Sequence, residues 1–126
     1  MKARDATLRL KRFDAIEKAR KALDLESMIR DFETMAADLQ RQISVEEERT
    51  GVKDIRHFAY STFAKAAILR RENLLTSVAD LKAKLDVARE EQFAAEAELK
   101  AIDSAELARD GDRSRLKNER NGAAAG

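Results

Sequence analysis

The sequence predicts an all-α fold, a long antiparallel two-helix coiled-coil hairpin, and three observations lead there. Ala, Glu, Lys, Leu and Arg supply 74 of the 126 residues, a bias typical of coiled coils and long helices. The chain has no proline. Proline removes a backbone donor and clashes with the preceding turn, so without it each long segment is free to be continuous helix. The third observation is an apolar seam of period 3.5, carried by two segments with one strong turn signal between them.

The first helix is expected over about residues 4 to 50, roughly 70 Å at ~1.5 Å per residue. Its seam is Leu25, Ile29, Phe32, Ala36, Leu39 and Ile43, spaced alternately by four and three. Upstream, Leu10, Phe13, Ile16 and Leu23 are apolar but do not join that register without an insertion, so a local change of supercoil is expected around Ala22 to Leu25. The segment TGVKDIRHF follows. Gly51 stands where a helix commonly ends in a left-handed residue, and Asp54 is placed to cap a new start. The chain is therefore expected to reverse over about residues 51 to 57, with Ser61 as an alternative cap.

The second helix is expected over about residues 55 to 108. Its seam is the longer one: Ala64, Ala67, Arg71, Leu74, Val78, Leu81, Leu85, Ala88, Gln92, Ala95, Leu99 and Ile102. Beyond Ala108 the glycines and small polar residues of RDGDRSRLKNERNGAAAG interrupt that seam. Residues 1 to 110 are thus read as the hairpin domain and 111 to 126 as a flexible tail.

Charge tests the same topology independently. Residues 1 to 23 hold eight basic and three acidic side chains, and residues 24 to 48 hold two and eight. Residues 49 to 89 hold nine and four, and residues 90 to 112 two and eight. Folding back at the turn sets each basic block beside an acidic one, whereas a parallel in-register homodimer would align like with like. Each exposed pair contributes only tenths of a kcal/mol, so the pattern selects a topology more than it stabilises one.

Composition also limits function. The net charge of +1 is too balanced for a general nucleic-acid binder. With no cysteine there are no disulfides, thiol nucleophiles or thiolate metal sites. The opening MKARDATLRLKRF lacks a continuous apolar stretch, and nowhere do ~18 apolar residues run together. A cytoplasmic home is the expectation. The single histidine, His57, has no second histidine or cysteine to converge with. The runs Glu46 to Glu48 and Glu90 to Glu91 place adjacent side chains about 100° apart, which suits a solvated face better than an acid and base pair. Gly51 stands alone, so there is no phosphate loop. No enzymatic activity, metal or cofactor is expected.

Two clusters remain as candidate binding sites. Phe58, Tyr60 and Phe63 bring three of the six aromatic residues to the turn. They either plug the open end against Val45 and Val52 or leave a ring exposed as a partner anchor. Lys2, Arg4, Arg9, Lys11 and Arg12 form either a solvated, partly ion-paired face or a docking surface for an acidic partner.

The segments RLKRFDAIEKARK at residues 9 to 21, MIRDFETMAADLQRQI at 28 to 43 and HFAYSTFAKAAILRREN at 57 to 73 resemble flagellar export proteins of the FliJ family, particularly alphaproteobacterial forms. The resemblance spans roughly residues 4 to 90, and the aromatic block after the turn is its most distinctive part. It implies a stalk-like coiled coil of the flagellar type III export apparatus, bound to the hexameric export ATPase and to the cytoplasmic domain of the export gate, and linked to export chaperones. Such a protein would be cytoplasmic and would meet the membrane only through its partners. By analogy to a stalk, Arg4, Leu8, Lys11 and Arg12 would enter the ATPase ring, while Phe58, Tyr60 and Phe63 would be free for the gate. The alternatives are a related injectisome stalk and a general coiled-coil chaperone or adaptor.

Overall fold

A computed structural model of the chain describes residues 2–125. Helix α1 spans Lys2–Thr50 and helix α2 spans Thr62–Ala125, and the described residues contain no strand. Two compact units divide the chain. One is Lys21–Ala88, which contains the turn; the other joins Met1–Arg20 to Arg89–Gly126.

In the turn unit the expected seam is the core. Ala22, Leu25 and Ile29 of α1 cluster with Val78, Leu81, Leu85 and Ala88 of α2, and Phe32 packs against them. Nearer the turn, Leu39 and Ile43 meet Ala67, flanked by Ile68 and Leu74. Arg71 holds a seam position too. It is half-buried, its Nη1 donates to Gln40 Oε1, and its Nε is buried without a hydrogen-bond partner.

In the other unit the interior is thinner. Ala15 and Ala95 are buried, while Leu8, Leu99 and Ile102 are half-buried. An alanine methyl removes far less surface from water than a leucine side chain, at about 0.8 kcal/mol per buried carbon. Three ion pairs add to it: Arg4 with Glu106 at 3.3 Å, Lys11 with Glu98 at 2.7 Å, and Lys18 with Glu91 at 3.6 Å. Residue numbers rise along α1 as their partners' numbers fall along α2, and each pair joins the first basic block to the last acidic block. Their exposure to solvent keeps each contribution small.

The structure corrects the expected phase slip. Leu8, Lys11, Ala15, Lys18, Ala22 and Leu25 are buried or half-buried at spacings of three and four, in the same register as Ile29 to Ile43. Leu10, Phe13, Ile16 and Leu23 instead stand outside, at 68%, 62%, 58% and 63% exposure. Apolar identity alone misplaced the register, because two lysines occupy seam positions and hold their charged ends at its edge. A lysine can do this by laying its aliphatic stem along the interface.

The turn ends α1 as expected and starts α2 later than expected. Gly51 adopts φ +73° and its N–H donates to the Glu47 carbonyl at 2.9 Å, a left-handed helix stop. Asp54 caps no helix. Its Oδ1 accepts from the Arg56 N–H at 3.0 Å, and its carbonyl accepts from the His57 N–H at 3.0 Å, which closes a local turn. Ser61 is the helix cap, accepting the Ala64 N–H on Oγ at 3.2 Å. α2 therefore begins at Thr62 rather than near Ile55.

At its other end α2 does not stop near Ala108 but runs on to Ala125, through the stretch read as a tail, whose last residue, Gly126, lies outside the described residues. Glycine inside a helix costs only about 1 kcal/mol relative to alanine. Asp110 with Arg113 and Asp112 with Arg115 add ion pairs one turn apart. Side chains 111–122 are all exposed.

Two substitutions test these assignments by thermal and urea unfolding. Leu25→Asp places a carboxylate in the core and is expected to cost about 3 kcal/mol or more, while Leu23→Asp, two residues away, changes stability by about 0.5 kcal/mol. Equal effects would reject the register. Around Gly51 an added Cβ meets nothing within 4 Å, so Gly51→Ala should cost only the left-handed backbone, about 1–2 kcal/mol, and Gly51→Asn less.

Candidate functional site

The turn separates the three aromatic residues that the sequence groups together. Tyr60 is buried at 5% exposure, Phe63 is 56% exposed, and Phe58 is 97% exposed. Tyr60 is held by its hydroxyl, which donates to Glu47 Oε2 at 3.1 Å, and by its N–H, which donates to the His57 carbonyl at 3.0 Å. Removal from water, and then the bond to the Glu47 carboxylate, push its phenol above the usual value. The ring braces the turn against the last turns of α1. Phe58 has no such bracing and stacks on His57, with ring centroids 4.7 Å apart. His57 in turn accepts the Ala59 N–H on Nδ1 at 3.0 Å, which fixes the pair at the tip.

Phe63 borders an open hollow with Val45, Asp38 and Arg41. Val45, expected as a plug, is itself 65% exposed, while Val52 is half-buried. Below the turn, Glu46 links the two helices. Its Oε1 accepts the Ser61 hydroxyl at 2.9 Å, and its carboxylate receives Arg49 Nε at 3.1 Å. The bond from Arg49 and then that from Ser61 hold its carboxyl below the ordinary value. The residue capping α2 is thereby tied to the last turn of α1.

In the other unit Arg4, Leu8, Lys11 and Arg12 do not form a common outward surface. Arg4 and Lys11 are bound to Glu106 and Glu98, and Leu8 is half-buried on the seam. The bond to Glu98 raises the Lys11 ammonium above its ordinary value. Arg12 is exposed. Of the wider basic set, Arg9 is also exposed, and the Lys2 side chain lies outside the described residues. Extending the three-and-four spacing of α1 back from Leu25, and admitting polar members as the α2 seam does at Arg71 and Gln92, would have found Lys18, Lys11 and Leu8.

Among the described residues no group of three or more His, Cys, Asp or Glu side chains is placed to hold a metal ion, and no helix is long and apolar enough to cross a membrane. No protein-family profile matches the chain, and neither the curated proteins nor the solved structures contain a match.

The Glu46 bonds predict a pH dependence with a defined sign. A carboxyl whose folded value is depressed contributes stability above its ordinary value, here 4.5, and loses it as pH falls through the folded value. Denaturant titrations below pH 4.5 should therefore show a steeper loss for the native chain than for Glu46→Gln. Parallel pH profiles of the two proteins would show that the Arg49 and Ser61 bonds do not act in solution.

Proposed function

We propose that this chain is an antiparallel two-helix coiled-coil hairpin serving as a stalk-like component of the flagellar type III export apparatus. In this reading it binds the export ATPase ring and the cytoplasmic domain of the export gate, assists the export of flagellar proteins and meets export chaperones. It is cytoplasmic and reaches the membrane only through these partners. The observation that carries the proposal is the resemblance of residues 4 to 90 to the FliJ family, above all at HFAYSTFAKAAILRREN. Two long helices that meet along an apolar seam and leave Phe58 outside are in keeping with a protein whose work is contact.

The placement of the basic residues sharpens the docking hypothesis. A stalk end entering a ring presents side chains not already committed within the chain. Arg12 satisfies that condition, whereas Arg4 and Lys11 are held by Glu106 and Glu98 and stiffen the end. At the turn, Phe58 is the free anchor for the gate, Phe63 flanks it, and Tyr60 acts through the turn it braces. Of the two alternatives, a related injectisome stalk and a general coiled-coil chaperone or adaptor, the second is favoured by the large apolar side chains left exposed along α1.

The test is direct binding of the purified chain to export ATPase and to the gate's cytoplasmic domain, with ATP hydrolysis and circular dichroism measured alongside. Phe58→Ala is expected to leave stability within about 0.5 kcal/mol, as for other exposed positions. It should weaken gate binding by about 2 kcal/mol, roughly thirtyfold, the scale of an aromatic anchor, and leave ATPase binding unchanged. Absence of binding by the unmodified chain to either component would overturn the export reading, and binding to unfolded clients instead would support the chaperone.

A further inference from the structure

The stretch that the sequence could not fit into the seam forms an outward face of its own. Arg9, Arg12, Phe13 and Ile16 recur at i, i+3, i+4 and i+7, the spacing that aligns side chains along one side of a helix. Phe13 and Ile16 are 62% and 58% exposed, and Leu10 beside them is 68% exposed. The cations of this unit are sorted by direction. Those facing α2, Arg4, Lys11 and Lys18, are bound to carboxylates. Arg9 and Arg12 face outward and pair with no carboxylate among the described residues, although Asp5 stands one turn before Arg9. Arg20 extends the face and pairs with Glu17 at 3.3 Å.

We propose that this face of α1 is a protein-docking surface, and that its partner offers an apolar groove rimmed by carboxylates. The groove is short, about one helical turn: Phe13 and Ile16 fill it, Arg9 meets its rim at the end one turn before Phe13, and Arg12 meets it at the side, where the fork geometry of both guanidiniums suits two-point pairing with carboxylate. A lipid surface fits less well. At about 100° per residue around the axis, Arg9 and Arg20 fall between Ile16 and Phe13, so inserting Phe13 and Ile16 into a continuous lipid surface would drag guanidiniums into the acyl region instead of leaving them at its flanks. Residues 90 to 112, with eight acidic and two basic side chains, belong to the same unit and are repelled by anionic lipid. A second copy fits less well too, because a twofold contact through this face would set arginine against arginine. The surface does not depend on the export reading, since it rests on exposure and charge alone.

The experiment is photo-crosslinking of the full chain in its native host, with p-benzoylphenylalanine in place of Phe13 and, in a control, of Phe93, which is 76% exposed. The expected result is a discrete protein adduct from position 13 and none of that mass from position 93, with the cross-linked peptide of the partner rich in Asp and Glu. Arg9→Glu with Arg12→Glu should reduce its yield about tenfold, equivalent to about 1.4 kcal/mol, with helicity unchanged, while Arg9→Lys with Arg12→Lys retains most of it. An adduct to lipid or to a second copy of the chain would overturn the proposal. So would equal adducts from both positions, a yield indifferent to charge reversal, or no adduct. An adduct to a protein outside the export apparatus would support this surface and count against the export reading, so the two fail separately.

Discussion

Everything in this chain depends on how little interior two helices can make. A helix packed against one neighbour buries a narrow stripe, and here that stripe is a 3.5-residue seam in which alanine recurs beside leucine, isoleucine and valine. Alanines at Ala15, Ala22, Ala36, Ala64, Ala67, Ala88 and Ala95 are buried while adding little volume. The consequence is a forced division of the apolar residues. Whatever falls outside the stripe has nowhere to go but solvent, so Phe13, Ile16, Phe58 and Phe93 are exposed for geometric reasons before any partner is considered.

The same constraint gives polar contacts a part in both units. In the turn unit, leucine, isoleucine and valine carry the packing and the turn is locked by Gly51, Tyr60, Ser61 and Glu46. In the other unit the buried positions are mostly alanine, and the ion pairs of Arg4, Lys11 and Lys18 lie along the seam's edge. Solvent-exposed pairs are weak and screened by salt.

Much of the candidate chemistry was legible in residue type and much of its placement was not. Gly51 declared its role because only glycine adopts a left-handed backbone without penalty. The α2 seam was legible because its spacing persists over twelve positions. The α1 seam was obscured upstream because Lys11 and Lys18 belong to it while Leu10, Phe13 and Ile16 do not, and a reading based on hydrophobicity follows the wrong set. Asp54 and Ser61 are both competent caps by type. In the structure Ser61 starts α2, while Asp54 is used inside the turn that Tyr60 braces against α1.

By itself the sequence determined the all-α class, the two long helices and the glycine stop between them, because helix propensity, apolar period and a left-handed glycine are local properties of the residues present. Only the tertiary structure decided which apolar side chains are core and which are surface. It also decided which cations are already spent on carboxylates within the chain and which of the three turn aromatics is free. Those outcomes turn on which side of each helix meets the other. A helix can rotate to bury either of two competing stripes, and contact with its neighbour, summed over the whole seam, selects one.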